Sequence, residues 1–263
     1  MATYTHGHHE SVLRSHSNRT IANSAEYLRP HLSADARLLD IGAGPGTITM
    51  DFARHVADVT ATEIGEAELA LSKQLAAAQG VQNIAFSVED VHALSFADDT
   101  FDIVHAHQVL QHVADPVQAL REMRRVAKPG GVVAARDADY AAFHWFPLLP
   151  ELDRWLRLYR EAAAANGGEP DAGRRLLSWA RAAGFQEVTA TASTWCYATP
   201  DDRAWWGGMW ADRIVESALA RQLVDTEMAT AADLETISRA WRRWADDGDG
   251  WFLVPHGEII ARA

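Results

Sequence analysis

The chain has 263 residues, a formal net charge of −12 from 24 basic and 36 acidic side chains, and hydrophobic residues at 48% of its positions. At about 150 residues per domain, this length predicts one large domain or one core with an added module, and the acidic balance disfavours nucleic acid, whose phosphates require clustered Lys and Arg. The single cysteine, Cys196, excludes an intramolecular disulfide and a cysteine-based zinc cluster, as is usual in a reducing compartment.

The first 27 residues form a polar segment, which we interpret as an amino-terminal lid or a solvated tail. A helix is predicted within it, over residues 10–28. Its opening has no cationic stretch followed by an apolar run, so no secretion signal is predicted. No apolar run in the chain reaches the roughly 18 residues of a membrane span, and we expect a cytoplasmic protein. No metal site is predicted, because zinc or facial-triad spacing is lacking among the four histidines at His6, His8, His9 and His16.

Residues 28–136 alternate short apolar runs with helical segments, and we interpret them as a cofactor-binding core. The apolar runs lie at residues 38–41, 59–62, 84–88, 101–106 and 132–135. The helical segments lie near residues 47–56, 66–79 and 116–127. Strands that alternate with helices at this spacing predict βαβ units, a parallel sheet and hence an α/β fold.

The second half, residues 137–263, breaks this rhythm. Helices are predicted near residues 150–165, 172–183, 200–223 and 231–245, with strand-like runs at residues 187–198 and 252–261. We expect these two runs to pair antiparallel at the edge of the sheet, and the helical regions of about 137–183 and 199–250 to form a substrate cap. All ten tryptophans follow residue 144 and therefore belong to this half.

A glycine-rich turn joins the first apolar run to the first helix. Glycine lets the backbone turn sharply and approach a ligand closely, so this turn is predicted to contact a cofactor. It lacks the Lys of a phosphate-binding P-loop, and its G-x-G-x-G spacing differs from the dinucleotide pattern G-x-G-x-x-G. The cofactor contacts assigned to the turn are Asp40, Gly42, Ala43, Gly44, Gly46 and Thr47.

Carboxylates end the next two predicted strands. Glu63 follows the second run, where its two oxygens can accept hydrogen bonds from both ribose hydroxyls of an adenosine. Glu89 and Asp90 follow the third run, where a carboxylate can reach an adenine amino group while Val91 packs on the ring. Open α/β sheets bind ligands at the carboxyl ends of their strands, so these positions predict a nucleoside-containing cofactor. A tight turn flanked by surface acids is the alternative.

These segments resemble the class I S-adenosylmethionine-dependent methyltransferases, and more narrowly the type 11 group related to the ubiquinone and menaquinone biosynthesis methyltransferases. The resemblance implies a Rossmann-like sheet of seven mostly parallel strands with an antiparallel last strand. The matching segments are residues 38–47, Glu63, residues 89–91, the run FDIVHAHQVLQHVADP at residues 101–116, and residues 128–131.

The resemblance also implies S-adenosyl-L-methionine as the cofactor. It implies that the glycine turn holds the cofactor and that the methionine portion lies near His107 and Gln108. Tyr4, His8 and Arg19 resemble the lid of one subgroup, in which such residues close over the cofactor. Beyond the glycine turn, the implied cofactor contacts are Arg19, Glu63, Ile64, Glu89, Asp90, Val91, His107 and Gln108.

Methyl transfer from a sulfonium is an in-line displacement, so the protein mainly positions the acceptor, and a base is needed only when the acceptor loses a proton. The candidate catalytic residues are Tyr4, His8, His112 and Asp137. His112 either orients a ligand or caps the helix that follows. Asp137 either acts as a base with a pKa raised by the adjacent Asp139 or caps the segment that follows.

The aromatic residues of the second half form helical stripes. Trp206 and Trp210 are four residues apart, and Trp205 extends the apolar surface to a second face, which needs a helix, a subunit or a substrate as its partner. A single tryptophan is more often core than ligand contact, but the whole set predicts an aromatic acceptor pocket. The acceptor contacts assigned are Asp139, Phe143, Trp145, Trp206 and Trp210.

The sequence therefore predicts methyl transfer from S-adenosylmethionine to a small aromatic or hydrophobic metabolite of secondary metabolism, with carbon preferred over nitrogen or oxygen. The predicted enzyme is a monomer or homodimer that binds neither nucleic acid nor membrane. Two alternatives remain: a non-catalytic binding or assembly protein with a methyltransferase fold, and an NAD-dependent oxidoreductase.

Overall fold

The computed structural model describes residues 19–263, so the predictions on Tyr4, His8 and the other histidines of the first 18 residues lie outside the described residues. Within this range eight strands form one sheet. They are β1 (Arg37–Ile41), β2 (Asp58–Glu63), β3 (Ile84–Val88), β4 (Phe101–His107), β5 (Ala127–Ala138), β6 (His144–Phe146), β7 (Val188–Tyr197) and β8 (Trp251–Arg262).

Helices connect these strands and cover both faces of the sheet. The α-helices are α1 (Thr47–Phe52), α2 (Glu66–Gln79), α3 (Pro116–Val126), α4 (Pro150–Ala165), α5 (Leu176–Ala182), α6 (Pro200–Glu216), α7 (Ala218–Asp225) and α8 (Ala231–Asp246). Shorter helical turns lie at Ile21–Ala25, Glu26–His31, Leu110–His112, Tyr140–Ala142 and Ala172–Arg175. The predicted helix over residues 200–223 is thus two helices, because Ser217 between them has an extended backbone.

The sheet has the order β3-β2-β1-β4-β5-β8-β6, and β7 pairs with the other edge of β8. Strands β1 to β5 are parallel, whereas β8 runs antiparallel to all its neighbours. The predicted α/β fold and the antiparallel pair at residues 187–198 and 252–261 are confirmed. The predicted count of seven strands is exceeded by β6, a three-residue strand that pairs with the start of β8.

Alternate side chains of each strand point to opposite faces of the sheet, and different helices cover the two faces. Leu39 of β1 and Val104 of β4 belong to a core cluster formed with α3 and α5. Leu38 and Ile103, one position earlier on each strand, belong to a second cluster formed with α1 and the turns at residues 21–31. This alternation places consecutive residues of a strand in different environments.

Six tryptophans are buried in a third core cluster between α4, α6, α8 and the start of β8. Trp155 is at its centre, with ring centroids 4.5 Å from Trp210 and 4.8 Å from Trp241 in edge-to-face arrangements. Such aromatic contacts stabilise a core beyond the burial of area alone. The tryptophan-rich half therefore has a hydrophobic core of its own, while the segment boundaries at residues 27 and 136 stay predictions.

The turn Ala172–Arg175 crosses β8 at very short range. A Cβ atom on Gly173 would lie 2.7 Å from the Gly257 amide nitrogen and 2.8 Å from the Asp137 carbonyl oxygen. A Cβ atom on Gly257 would clash with the carbonyl oxygen of Gly173. These neighbours are backbone atoms, so a larger residue cannot fit without shifting β5 or β8.

We therefore expect Gly257→Ala to lower the free energy of unfolding by about 2 kcal/mol, the usual scale for overpacking a buried position. Urea denaturation followed by circular dichroism measures this change. Gly248→Ala is the matched control, because nothing lies within 4 Å of the Cβ position at Gly248. Equal stabilities of the two variants would show that the crossing is not constrained.

Candidate functional site

A cleft of about 290 Å³ opens beside the carboxyl ends of β1, β2 and β4. Parallel strands deliver the turns that follow them to the same edge of the sheet, which is where open α/β sheets bind ligands. The cleft brings together residues that are far apart in sequence. The predicted cofactor contacts that line it are Arg19, Asp40, Gly42, Ala43, Gly44, Thr47, Glu63, Ile64, Glu89, Asp90, Val91, His107 and Gln108.

The glycine turn is shaped by backbone conformations that disfavour a side chain. Gly42 and Gly46 have φ angles of 65° and 85°, in the left-handed region. A Cβ on Gly42 would lie 2.5 Å from Val109 Cγ2, and a Cβ on Gly46 would clash with Ser72 Oγ. Gly46 itself does not line the cleft but lets the turn pack against α2, so its predicted contact role becomes a shaping role.

Glu63 ends β2 and directs its carboxylate toward the glycine turn. Its Oε1 accepts a hydrogen bond from the Gly44 amide at 2.6 Å, and its Oε2 accepts one from the Ile64 amide at 3.3 Å. Burial raises the pKa of Glu63, while the two amide donors favour its ionised form. The carboxylate is therefore held in the cleft wall with both oxygens oriented.

Two further carboxylates follow β3 at the same edge. Asp90 Oδ1 accepts a hydrogen bond from the His92 amide at 2.9 Å, and this bond is the largest cause of the lowered pKa of Asp90. Glu89 accepts hydrogen bonds from the Ser95 amide at 2.9 Å and from the Ser87 hydroxyl at 2.7 Å. Asp90 is thus ionised at neutral pH and fixed in orientation beside the cleft.

Asp40 differs from these acids because its side chain is buried and bonded at both oxygens. Its Oδ1 lies 2.8 Å from His105 Nδ1, and its Oδ2 accepts a hydrogen bond from Thr49 Oγ1 at 2.6 Å. These bonds join β1, β4 and α1 directly beneath the glycine turn. Asp40 therefore forms the floor of the cleft and holds its elements together.

The opposite wall of the cleft comes from the end of β4 and the start of the described chain. Gln108 has a φ angle of 54°, an uncommon conformation for a residue with a Cβ. Its Oε1 accepts a hydrogen bond from Arg19 Nη2 at 2.6 Å, and its Nε2 donates to His256 Nε2 at 2.9 Å. His107 precedes it and is buried in the same wall.

His112 lines the cleft beside this wall. Burial and the Arg19 guanidinium lower the pKa of His112 to about 3, so its imidazole is neutral at physiological pH. A group with so low a pKa is a weak general base, because base catalysis works best near the operating pH. Of the two predicted roles, the geometry favours orienting a ligand over capping the following helix, whose N-cap is Asp115.

Asp137 does not line the cleft. Its side chain is fully buried, and its Oδ1 accepts a hydrogen bond from the Gln111 amide at 3.0 Å. Burial raises the pKa of Asp137 to about 7. The sequence predicts that Asp139 raises this pKa. The structure shows that burial raises it instead. The side chain of Asp137 lies on the face of β5 opposite to that of Arg136, where it holds the turn Leu110–His112, and its catalytic role stays a prediction.

None of the predicted acceptor contacts lines the cleft, and their role at an acceptor site stays a prediction. Asp139 forms an ion pair with Arg174, whose Nε donates to Asp139 Oδ2 at 2.6 Å. The four predicted aromatic contacts belong to the tryptophan-rich core cluster. Phe143, Trp145 and Trp206 contact Phe252, and Trp210 contacts Trp206.

Two polar residues beside the cleft, Arg136 and His256, are not among the residues predicted from the sequence. Arg136 follows the apolar run of β5 and pairs in register with His107 of β4. His256 contacts Gln108 from β8, which is almost 150 positions further along the chain. The change from apolar residues to Arg136 within one strand is the signal that could have found the first, but no local pattern reveals the second.

Comparison with known proteins shows to which family the chain belongs. Residues 32–191 match the family model described as the methyltransferase domain. An uncharacterised methyltransferase of Schizosaccharomyces pombe is 34% identical over 268 residues, covering 98% of this chain and 95% of that protein. The chain belongs to the methyltransferase family. The two alternatives, an NAD-dependent oxidoreductase and a non-catalytic protein, are therefore wrong. The protein is an S-adenosylmethionine-dependent methyltransferase.

Two further similarities cover parts of known methyltransferases. A ubiquinone biosynthesis O-methyltransferase of Parvibaculum lavamentivorans is 31% identical over 123 residues, covering 47% of this chain and 46% of that protein. Phosphoethanolamine N-methyltransferase 2 of Haemonchus contortus, crystallised with S-adenosylhomocysteine, has a TM-score of 0.56 at 16% identity. That comparison covers 90% of this chain and 51% of that one, and it shows a shared fold.

The cleft fits S-adenosylmethionine, the cofactor of this family. Its wall combines two oriented carboxylates, Glu63 and Asp90, with the apolar side chains of Ile64 and Val91. A nucleoside needs both, because its sugar and base edges form hydrogen bonds while its base packs on apolar groups. Within residues 19–263 no cluster of His, Cys, Asp and Glu is arranged to hold a metal ion.

We expect Glu63→Ala to weaken the binding of S-adenosylhomocysteine at least about 10-fold, because each hydrogen bond to a charged group contributes about 1.5–3 kcal/mol. Isothermal titration calorimetry measures the dissociation constant. Glu66→Ala is the matched control, since Glu66 lies three residues away, is exposed and pairs with Lys73. Similar losses in both variants would mean that Glu63 does not contact the nucleoside.

Asp137 predicts a pH dependence of stability. Its folded pKa of about 7 exceeds the unfolded value of about 4, so between these pH values only the folded chain keeps the proton. The contribution of Asp137 to stability is therefore present below about pH 4, falls as pH rises to about 7, and is flat above that.

Asp137→Asn removes this pH-dependent loss while keeping a polar side chain of similar shape. We expect the unfolding free energy of the variant, relative to that of the wild type, to rise by up to about 1.4 kcal/mol per pH unit between pH 4 and 7. Urea denaturation at several pH values measures it. Asp233→Asn is the control, because the pKa of Asp233 is lowered to about 2 and that group is ionised across this range. Parallel profiles for the two variants would contradict the assignment.

Proposed function

We propose that this methyltransferase acts on a small aromatic or hydrophobic metabolite, with carbon favoured over nitrogen or oxygen as the acceptor atom. The observation that carries the proposal is the division of the cleft into two chemically different ends. One end has the glycine turn, Glu63 and Asp90, which suit a nucleoside. The other end has His107 and His112, whose neutral imidazoles suit hydrogen bonding to an uncharged or anionic acceptor.

The residues of the first end would hold the adenosine of the cofactor. In this proposal Glu63 exchanges its bond to the Gly44 amide for bonds to the ribose hydroxyls, and Asp90 accepts from the adenine amino group. Val91 and Ile64 pack against the adenine ring. Gln108, fixed in orientation between Arg19 and His256, lies where the methionine portion enters the other end of the cleft.

Bound S-adenosylmethionine would supply an electrophilic methyl group, leaving S-adenosylhomocysteine and, for a ring-carbon acceptor, a proton that passes to water. The protein has to hold the acceptor in line and exclude water, which accounts for much of the achievable acceleration. His112 is proposed to orient the acceptor by hydrogen bonding, since its low pKa makes it a weak base. Tyr4 and His8 stay candidates for a lid outside the described residues.

The aromatic part of the proposal rests on Trp195 and on the resemblance to quinone-modifying methyltransferases. Trp195 of β7 is half-buried, and its ring centroid lies 5.8 Å from that of His107 in the cleft wall. A flat acceptor ring that entered beside His107 would therefore meet an indole. The other buried tryptophans belong to the core and give no support to an aromatic acceptor.

We further propose that the enzyme works in secondary metabolism, in the cytoplasm, as a monomer or homodimer. The acidic composition and the single cysteine support that location. In residues 19–263, every helix is too short or too polar to cross a membrane.

The proposal predicts turnover of ring compounds. Incubation with S-adenosylmethionine and separate phenols, indoles and quinols is expected to give a methylated product of at least one compound, together with S-adenosylhomocysteine. Mass spectrometry detects the product, and NMR of the new methyl group distinguishes a carbon acceptor from oxygen or nitrogen. Turnover confined to aliphatic amines would contradict the ring acceptor, and an O- or N-methyl product would contradict the preference for carbon.

His112 gives a sharper test within the same assay. Because the pKa of His112 is about 3, its titration should leave no inflection in the pH profile of kcat/KM between pH 6 and 9. His112→Gln, which can still form a hydrogen bond, is expected to retain more activity than His112→Ala. Equal losses in both variants would exclude the proposed orienting hydrogen bond.

A further inference from the structure

A row of polar side chains crosses the sheet beside the cleft. His107 of β4 pairs in register with Arg136 of β5, and Arg136 pairs with Glu258 of β8. Register partners on neighbouring strands point to the same face and lie within contact range. All three side chains are buried, and His107 also lines the cleft. The row therefore places two buried polar side chains, Arg136 and Glu258, behind the His107 wall of the cleft.

Arg136 is the central member of this row and is 1% exposed. Its Nε donates hydrogen bonds to Ser193 Oγ at 3.1 Å and to Glu258 Oε1 at 3.2 Å. Its Nη1 and Nη2 atoms have no hydrogen-bond partner within residues 19–263. Buried guanidinium groups normally satisfy their donors, and the pair of Nη atoms has the geometry that binds a carboxylate through two parallel hydrogen bonds.

His107 separates Arg136 from the cleft and has unmet hydrogen bonds of its own. Neither of its ring nitrogens has a partner within the described part of the chain, although the residue is only 6% exposed. Burial, Arg19 and Arg136 lower the pKa of His107, so the ring is neutral and offers one N–H donor. The neutral ring adds a directional donor without a third positive charge.

Two guanidinium groups lie beside this row, although the chain as a whole is acidic. The Cζ atoms of Arg19 and Arg136 lie 5.7 Å and 4.9 Å from the ring centroid of Trp195. Burial lowers the pKa of His107 and of His256, and these two guanidinium groups lower both further. Glu258 offsets the charge of Arg136, and its carboxylate is already bonded to Ser193 and Thr191.

From this arrangement we infer that Arg136 and His107 form an anion subsite, and that the methyl acceptor carries a carboxylate. The inference rests on the proposed function, since it places the acceptor at the His107 end of the cleft. The carboxylate binds the Nη1 and Nη2 atoms of Arg136 and accepts a hydrogen bond from His107. The body of the acceptor then lies between Trp195 and the cofactor end of the cleft. Arg136 would thereby distinguish an acid from its amide.

Three acids and their amides serve as probes, titrated into the S-adenosylhomocysteine complex of the whole chain: acetate, benzoate and indole-3-acetate. We expect at least one acid to bind in the millimolar range and at least about 10-fold more tightly than its amide. Isothermal titration calorimetry measures both affinities. If no acid binds more tightly than its amide, the inference is overturned.

The double variant Arg136→Gln/Glu258→Gln removes the charged pair without leaving either charge unpaired. We expect it to bind S-adenosylhomocysteine normally and to lose the preference for the acid over the amide. Arg154→Gln/Asp233→Asn is the matched control, because it deletes another ion pair, between α4 and α8. A preference retained by the first variant would overturn the inference.

A crystal structure of the wild type with S-adenosylhomocysteine and the preferred acid keeps the test independent of how the variants fold. A carboxylate within hydrogen-bond distance of Arg136 Nη1 and Nη2 supports the inference, whereas a carboxylate bound elsewhere, or water alone at Arg136, overturns it. Normal binding of S-adenosylhomocysteine without any preference for acids overturns this inference alone. Loss of S-adenosylhomocysteine binding in the wild type would instead contradict the proposed function.

Discussion

The position of β8 determines how the other elements pack, because this strand contributes to all three core clusters. Phe252 and Val254 at its start pack among the tryptophans, whereas Ile259 packs with α3 and α5 and Ile260 packs on the opposite face. Hydrogen bonds on both edges hold it, to β5 and β6 on one side and to β7 on the other. The inserted helices α6 to α8 therefore return the chain to the middle of a sheet, not to a free edge.

This position also brings β8 to the functional end of the molecule. His256 contacts Gln108, and Glu258 pairs with Arg136, so the last strand sets the polar surroundings of the loop after β4. A buried ion pair often costs more in desolvation than it returns in attraction, and it is therefore weak support for stability. A pair that leaves the Nη atoms of Arg136 without partners in the described residues fits a binding role better than a structural one.

Local patterns predicted most of the fold and the cofactor end of the cleft. The bounds of α2 and α4 match the predicted residues 66–79 and 150–165, because strand runs and helix stripes are read within one element. The glycine turn, Glu63 and Asp90 could also be predicted from the sequence, since parallel strands bring their carboxyl ends to one edge. The sequence does not predict which residues pack on a given face of a helix. Periodicity shows that Trp206 and Trp210 share a face, but only the fold shows that core rings cover it.

The sequence also failed to predict Arg136, which lies beside the acceptor end of the proposed site. The reason is the alternation of side chains along β5. Asp137 was selected because it follows an apolar run, yet side chains alternate between faces and a shift of one residue reverses the assignment. Asp137 points toward the turn Leu110–His112, whereas Arg136 points to the face that carries His107. The register between β4 and β5 decides which of the two can meet a ligand. That register is a property of paired strands, so no stretch of sequence around residues 136 and 137 contains it.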